Sequence, residues 1–282
     1  MPTIGDLFRQ AQRRAPTSFE AGELFRFATG VGPLDEWSNP ATPAMQAELE
    51  RCLELRASGY PIQYIVGGWE FYSLPFTLGP GVLIPRQDTE LLVDIALDSL
   101  KQSALPAPEV VDLGSGSGCI AIAVKANHIT ACVTAVEKSD DAAEFLKRNI
   151  AATAEFLEQS STASGFEVTA VLCDMREYTH PRPIDLLLSN PPYIPVAELP
   201  GLQREVQHEP TLALDGGADG LNFYREIAGR YKTQLAPGGR VLLEIGAGQQ
   251  DDVSAILAEH GFENITAHRD FAGIYRVVSA HA

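Results

Sequence analysis

Apolar residues follow two different periodicities along this 282-residue chain. Up to about Arg56 they recur at helical spacing, first around Ile4 to Arg14 and then in the runs GELFRFATGV and MQAELERCLELRAS. These runs predict a helical domain over residues 1–60. After Pro61, glycine and proline break up the short aromatic and β-branched runs QYIVGG, WEFYS and PFTLG, which predicts a β-hairpin linker over residues 61–84.

From Glu109 onward, continuous apolar runs alternate with helical patterns. Strands without polar alternation that are separated by helices indicate a parallel sheet covered on both faces. The last two strand-like runs, ENITAHRD and GIYRVVSA, have only a short break between them, which favours an antiparallel hairpin. We therefore predict an α/β domain over residues 85–282, with a doubly wound, Rossmann-like sheet of seven strands that ends in this hairpin.

Composition and charge narrow the class of protein. Hydrophobic residues make up 45% and charged residues 21%, as in soluble globular proteins, and no run approaches the roughly 20 apolar residues of a membrane span. The formal charge of −16 opposes direct binding of nucleic acid, which generally requires a basic face. The opening residues show neither a secretory signal nor a basic leader, so we expect a cytoplasmic protein. The cysteines and histidines lack metal-ligand spacing, so we expect no metal site.

A glycine-rich segment follows the first strand of the predicted sheet. It contains Asp112, Gly114, Ser115, Gly116, Ser117 and Gly118, directly before a helical run. Glycines in this position let the backbone turn sharply and approach a ligand closely. The spacing G-x-G-x-G differs from the dinucleotide pattern, and the Lys-Ser/Thr pair of a phosphate loop is absent. By itself, the segment is equally compatible with a tight turn that binds nothing.

Acidic residues end the next two predicted strands. Glu137 has the oxygens to accept from both hydroxyls of a ribose, and Asp174 has those to accept from an adenine amino group, beside the apolar Met175. Each carboxylate alone is more typical of a helix cap or an exposed turn. Ligands of such sheets bind at the carboxyl ends of the strands. The three strand ends together therefore predict a nucleoside cofactor without a phosphate clamp, such as S-adenosyl-L-methionine.

The most specific segment is Asn190-Pro191-Pro192-Tyr193, after the apolar run IDLLLS. Two prolines fix the backbone and leave carbonyl oxygens free to accept. An amide or amino NH₂ group would donate one hydrogen to the Asn190 side chain and the other to the Pro191 carbonyl, in line with an electrophilic methyl group. A turn that merely closes a strand accounts for most Asn-Pro pairs. The segment follows the fourth strand of the predicted cofactor site, and this position favours a role in substrate binding and catalysis.

Together these segments resemble the class I S-adenosylmethionine-dependent methyltransferases that act on a planar nitrogen. Within that class, the chain resembles the release factor glutamine N5-methyltransferases, the PrmC/HemK family. The upstream run VLIPRQDTELLV and the downstream runs HEP, LAL, GG and DGL fit the same family. The resemblance is continuous from the predicted linker to the C-terminus and weaker across the N-terminal helices.

The resemblance implies methyl transfer from S-adenosyl-L-methionine to the side-chain amide of the glutamine in the Gly-Gly-Gln motif of peptide-chain release factors. The product of the cofactor would be S-adenosyl-L-homocysteine. Residues 114–118 would bind the methionine and ribose of S-adenosyl-L-methionine, Glu137 the ribose hydroxyls, and Asp174 and Met175 the adenine. Asp112 and Asn190 would also belong to the cofactor site, and residues 190–193 would bind the glutamine amide. The helical domain would dock the release factor. We expect a monomer that contacts neither membrane nor nucleic acid directly.

The family commonly has aspartate at the position of Glu137, an aromatic residue at that of Met175 and proline at that of Gln87. Glutamate keeps both acceptor oxygens, whereas methionine contacts a ring without stacking on it. We therefore expect the replacement of an aromatic residue by Met175 to affect the affinity for the cofactor.

Other functions stay open at the level of sequence. They are an N6-adenine or other amino methyltransferase on nucleic acid, a ribosomal-protein glutamine N5-methyltransferase, and a catalytically silent binding module. The acidic charge opposes the first, the Thr-Glu pair of the linker opposes the second, and the intact motifs oppose the third. Two further positions have structural interpretations: Glu244 as a paired carboxylate at the core edge, and Thr89 or Asp88 as a helix cap.

Overall fold

The computed structural model describes residues 1–32, 37–103, 105–159 and 165–282. Its Cα atoms form two compact units. The first unit comprises Met1–Trp69, Leu78–Pro80 and Leu202–His208. The second unit comprises Glu70–Thr77, Gly81–Gly201 and Glu209–Ala282.

The first unit is built from helices. They are α1 Ile4–Arg14, α2 Ser18–Thr29, α3 Pro43–Ala57 and α4 Ile62–Val66. Thr3 begins α1 with a capping box, because its hydroxyl accepts from the Asp6 N–H at 3.1 Å and the Asp6 carboxylate accepts from the Thr3 N–H at 2.8 Å. Leu24, Leu49 and Leu53 are buried in the shared core. The apolar spacing thus forms helices because it gives each one a face to bury.

Helix α4 corrects one expectation from the sequence. The run QYIVGG was predicted as a strand of the linker hairpin, but residues 62–66 are helical and the hairpin begins only at Gly68. Pro61 occupies the N-cap position with φ −59°, and Gly67 ends the helix with φ 75°. Proline and glycine suit those two ends of a helix, and burial of Ile62, Tyr64 and Ile65 outweighs β propensity.

The strands form a two-stranded hairpin and a larger sheet, and the larger sheet belongs to the second unit. The hairpin strands are β1 Gly68–Phe71 and β2 Leu74–Thr77. The strands of the larger sheet are β3 Glu109–Leu113, β4 Cys132–Glu137, β5 Val168–Leu172, β6 Ile184–Ser189, β7 Leu235–Glu244, β8 Glu263–Arg269 and β9 Tyr275–His281. Within the described residues these seven strands have the order β5-β4-β3-β6-β7-β9-β8. β9 is antiparallel to both β7 and β8, which confirms the predicted fold and terminal hairpin.

Helices connect and cover these strands. They are α5 Glu90–Gln102, α6 Cys119–Asn127, α7 Asp140–Gln159, α8 Asn222–Tyr231 and α9 Gln250–Glu259. Helices α8 and α9 contribute Tyr224, Ile227, Val253 and Leu257 to the main core, which β3 enters through Val111. No helix among the described residues is long and apolar enough to cross a membrane. The strand order reverses between β3 and β6, and such a reversal opens a crevice at the carboxyl ends of the strands.

One segment of the loop between β6 and α8 belongs to the helical unit. Arg56 donates to the Glu205 carboxylate at 2.8 Å and also pairs with Glu20. The rings of Tyr60 and His208 meet edge to face, with centroids 5.0 Å apart. These contacts lie between residues far apart in sequence, and no hydrophobic pattern indicates them.

Candidate active site

Two adjoining clefts lie where β3, β4, β5 and β6 end. The first is lined by Gly114, Ser115, Gly116, Ser117, Glu137 and Asn190 among the residues singled out in the sequence. The second is lined by Gly114, Glu137, Asp174, Met175 and Pro192 from the same set. The structure therefore brings all three predicted strand ends to one place. Asp112, Gly118, Pro191 and Tyr193 adjoin these residues in sequence but are not on the walls of either cleft.

The glycine-rich loop joins β3 to α6 and requires glycine for two different reasons. Gly116 has φ 54°, and the space where a Cβ would point is open for 4 Å around. Gly118 has φ 83°, and a Cβ there would overlap the Leu146 side chain. Glycine at position 118 thus permits helix packing, whereas glycine at position 116 leaves room for a ligand.

The Glu137 carboxylate closes this loop from the neighbouring strand. Its Oε2 accepts from the Gly116 N–H at 2.8 Å, and its Oε1 accepts from the N–H groups of Lys138 and Ser139 at 2.8 and 2.7 Å. A carboxylate has about four acceptor positions, so about one remains on Oε2. Sequence patterns gave no sign that Glu137 holds the loop.

Asp112 lies beneath the loop on β3 and is fully buried. Neither of its carboxylate oxygens makes a hydrogen bond of good geometry with the described residues, although the Ser115 side chain and the Ala121 N–H lie close enough to favour its charged form. Loss of hydration raises the pKa of Asp112 to about 7. A buried acceptor of this kind is costly for stability, which is typical of a functional position.

Asp174 and Met175 line the second cleft after β5. The Asp174 carboxylate accepts from Arg176 Nη2 at 2.5 Å and from Lys138 Nζ at 2.8 Å, and these cations hold its pKa well below the usual range. Any ligand hydrogen bond to Asp174 must compete with them. The Met175 side chain packs against Gly114, and its carbonyl accepts from the Tyr231 hydroxyl at 2.6 Å.

The segment 190–193 begins directly after β6. The Asn190 Nδ2 group donates to Thr89 Oγ1 at 3.3 Å, and both residues line the first cleft. Thr89 occupies the N-cap position of α5, yet its side chain makes no capping hydrogen bond. The capping interpretation of Thr89 is therefore wrong, because its hydroxyl is engaged at the site instead.

Two residues that the sequence analysis missed support the segment 190–193 and the cleft. The Gln249 side chain donates to the Tyr193 carbonyl at 3.1 Å and accepts from the Gly246 N–H at 2.9 Å. Burial raises the pKa of the Tyr193 hydroxyl to about 12, so the phenol of Tyr193 stays neutral.

The Glu209 side chain accepts from the Ile84 N–H at 3.0 Å and from Arg86 at 2.5 Å. A signal for Glu209 was present in the sequence, since it forms part of the HEP run that fits the family.

Comparison with known proteins identifies the class of this site. Residues 88–199 match the family described as Methyltransferase small domain, and residues 6–67 match the PrmC N-terminal domain. The hMettl16 catalytic domain, solved in complex with a 3′UTR hairpin, superposes with a TM-score of 0.58 at 14% identity, covering 89% of this chain and 86% of that one. The matched family defines the class as a methyltransferase, and the fold agrees with it.

Two sequence relatives narrow this class to one family. The release factor glutamine methyltransferase of Geobacter sulfurreducens is 39% identical, covering 90% of this chain and 86% of the relative. That of Bradyrhizobium diazoefficiens is 37% identical, covering 99% of this chain and 92% of the relative. The chain belongs to the release factor glutamine methyltransferases.

Proposed function

We propose that this protein transfers a methyl group from S-adenosyl-L-methionine to the side-chain amide nitrogen (N5) of the glutamine in the Gly-Gly-Gln motif of peptide-chain release factors. The observation that carries the proposal is the position of Asn190 in the wall of the cleft, at the start of the segment 190–193. The family of release factor glutamine methyltransferases, to which the chain belongs, supports the identity of the substrate.

The residues of the first cleft fit the methionine and ribose parts of the cofactor. The open space at Gly116 accommodates a ligand close to the backbone. The buried carboxylate of Asp112, beneath the loop, would supply negative charge for an ammonium group, whose binding would in turn favour the ionised form of Asp112. Glu137, which still has about one free acceptor position, would accept from a ribose hydroxyl. Ser115 and Ser117 line the same wall.

The second cleft fits the adenine. Met175 and the adjacent apolar wall, which includes Phe223 and Pro192, would contact the faces of the ring. Asp174 would accept from the adenine amino group only by sharing its oxygens with Lys138 and Arg176. We propose Met175 as the larger contributor to affinity for this reason.

Residues 190–193 would act on the substrate mainly by positioning it. An amide nitrogen is a poor nucleophile, because its lone pair is delocalised, and bound S-adenosyl-L-methionine supplies a strongly electrophilic methyl group. The Asn190 side-chain oxygen and the Pro191 carbonyl would accept the two amide hydrogens. These interactions strengthen as positive charge develops on the nitrogen, so they lower the barrier. We assign no catalytic base, and the proton is lost after methyl transfer.

The helical unit would provide the docking surface for the release factor. A tripeptide alone offers little binding energy, so a protein-sized surface is needed to hold the glutamine at the cleft. We propose that the enzyme works as a cytoplasmic monomer, in the compartment where release factors function. The charge of −16 disfavours the alternative of a nucleic-acid methyltransferase, and the likeness to the hMettl16 domain at 14% identity concerns the fold alone.

The test is methyl transfer from isotopically labelled S-adenosyl-L-methionine to three acceptors. They are purified release factor, its variant with Gly-Gly-Ala in place of Gly-Gly-Gln, and ribosomal RNA. Mass spectrometry then locates the modified residue. We expect label on the glutamine of the unaltered factor alone. Label on RNA, or equal label on the alanine variant, would refute the proposed substrate and leave the fold unaffected.

A further inference from the structure

A chain of hydrogen bonds leads from the cleft into the core. The Asn190 amide donates to the Thr89 hydroxyl at 3.3 Å, and the Thr89 hydroxyl lies close enough to the Glu244 carboxylate to favour its charged form through a hydrogen bond. Thr89 and Glu244 are 1% and 2% exposed, so water does not compete for either group. Ser189 pairs with Leu243 in the register of β6 and β7, and Asn190 and Glu244 are the residues that follow this pair. The sheet thereby places them side by side.

The direction of these hydrogen bonds follows from the number of protons available. A threonine hydroxyl has one proton, and a carboxylate has only acceptors. A hydrogen bond between Thr89 and the ionised Glu244 therefore has Thr89 as its donor, and Thr89 then offers Asn190 only a lone pair. Of the two ends of the Asn190 amide, only the NH₂ group can interact with that lone pair. The carbonyl oxygen is then the end left to face a ligand in the cleft.

The opposite amide orientation is disfavoured by the same contacts. It would set the Asn190 oxygen against the Thr89 oxygen unless the threonine gave up its bond to Glu244. Glu244 already has one oxygen, Oε2, with no partner among the described residues. If the Thr89 hydroxyl donated to Asn190 instead, the buried Glu244 carboxylate would lose a further hydrogen bond, which is strongly unfavourable.

We propose that Thr89 and Glu244 are positioning residues that hold the Asn190 side chain with its oxygen toward the cleft, so that the site accepts N–H donors and rejects acceptors. This inference rests on the proposed role of Asn190 and explains why the site would select an NH₂-bearing nitrogen. An asparagine free to flip would present its own NH₂ group part of the time. The fixed orientation removes that unproductive state before substrate arrives.

Protonation of Glu244 would reverse the donor and acceptor roles in this series of hydrogen bonds, because a carboxylic acid can itself donate to Thr89. Burial raises the pKa of Glu244 to about 7, so the change falls within an accessible pH range. Other titratable or charged groups face Glu244 from the surrounding elements. They are Arg86, Asp88, Cys119, Tyr193, Tyr224 and Arg276. We therefore expect methyl transfer to decline below about pH 7 in the wild type.

The test compares Thr89→Val, which removes the hydroxyl at nearly constant volume, with Thr89→Ser, which keeps it. The matched control is Thr153→Val, since Thr153 is buried in α7 and lines neither cleft. We expect Thr89→Val to reduce kcat for release factor methylation by at least about tenfold while the cofactor Kd changes by less than about threefold. Thr89→Ser should restore most of the loss. Equal activity of Thr89→Val and Thr153→Val would overturn the proposal.

A second measurement needs no substrate and is independent of the proposed function. The side-chain ¹⁵NH₂ resonances of Asn190, assigned by their absence from Asn190→Ala, report the hydrogen bond to Thr89. In the wild type they should shift as the pH falls through about 7, and in Glu244→Gln they should not. Glu244→Gln should likewise lack the acidic decline in kcat, which is measured at saturating cofactor because Asp112, the proposed partner of the cofactor ammonium group, titrates in the same pH range. Persistence of both effects in Glu244→Gln would assign them to another group and overturn the role of Glu244.

These readouts separate failure of the inference from failure of the proposed function. A wild-type enzyme that leaves release factor unmodified would refute the substrate assignment, and the resonances of Asn190 would still decide whether its amide is held. A Thr89→Val protein that does not fold would also leave the wild-type and Glu244→Gln titrations as a complete test.

Discussion

The side-chain amide of Gln249 donates to the main-chain carbonyl of Tyr193 at 3.1 Å. Gln249 precedes α9 and Tyr193 follows β6, so this bond ties the end of the segment 190–193 to the next crossover of the sheet. The same side chain accepts from the Gly246 N–H at 2.9 Å, which fixes its orientation. Segment 190–193 is thus held at its first residue by Thr89 and at its last by Gln249.

Replacement of Gln249 should therefore impair catalysis through loss of positioning. In Gln249→Met the side chain keeps its length but loses both hydrogen bonds to Tyr193 and Gly246. We expect kcat for release factor methylation to fall about tenfold, because small misplacements of reacting groups are costly. The matched control is Gln250→Met, which alters the adjacent residue. Equal rates for the two variants in a single-turnover assay would contradict the role of Gln249.

Truncation of the proposed substrate acceptor should have a larger effect. Asn190→Ala removes the amide that lines the cleft. Loss of one well-placed acceptor should cost about 3 kcal/mol of transition-state stabilisation, or about a hundredfold in kcat. Rapid-quench measurement of methyl transfer gives kcat, and calorimetry gives the cofactor Kd as a check on folding. Activity within a few-fold of wild type would exclude Asn190 from the assigned role.

Two glycines with similar backbone angles should differ in their tolerance of alanine. Gly118 has φ 83° and abuts Leu146, whereas Gly273 has φ 81° with open space around it. Gly273→Ala should lower the free energy of unfolding by about 1 kcal/mol, the cost of a left-handed non-glycine residue. Gly118→Ala should lower it by about 2–4 kcal/mol, because overpacking adds to that cost. Urea unfolding of both variants would measure the difference, and equal losses would show that Leu146 yields without cost.

Asp112 should make stability depend on pH. Its folded-state pKa of about 7 exceeds the unfolded value, so the folded state binds more protons between about pH 4 and 7. The free energy of unfolding therefore falls as the pH rises through this window. Asp112→Asn removes the buried charge and should be more stable than wild type by about 2–4 kcal/mol at pH 8, with little difference at pH 4.

The measurement for Asp112 is urea unfolding of both proteins at the two pH values, without cofactor. Glu244 titrates in the same window but is present in both proteins, so its contribution cancels in the difference. A stability difference that is the same at both pH values would contradict a buried, ionisable Asp112. The cofactor Kd of Asp112→Asn should meanwhile rise, because the proposed partner of the ammonium group is lost.

Much of the fold was predictable because each element carries a local signal. The apolar runs at β3 and β6 need burial on both faces, and the intervening helical patterns supply the cover. The run QYIVGG shows where a local signal fails. Its β-branched residues favour a strand, but the ends set by Pro61 and Gly67, and burial against the helical core, produce α4 instead.

The sequence by itself determined which segments carry the chemistry. The glycine loop, Glu137 and Asn190 are recognisable because residue type and position at a strand end restrict what they can do. Only the tertiary structure decided how these groups are held. Thr89, Asn190 and Glu244 meet because β6 and β7 are neighbours in register, and the loop joins the helical unit through Arg56 and Glu205. Hydrogen-bond partners of this kind depend on the order of strands in the sheet, and no periodicity within a single segment encodes that order.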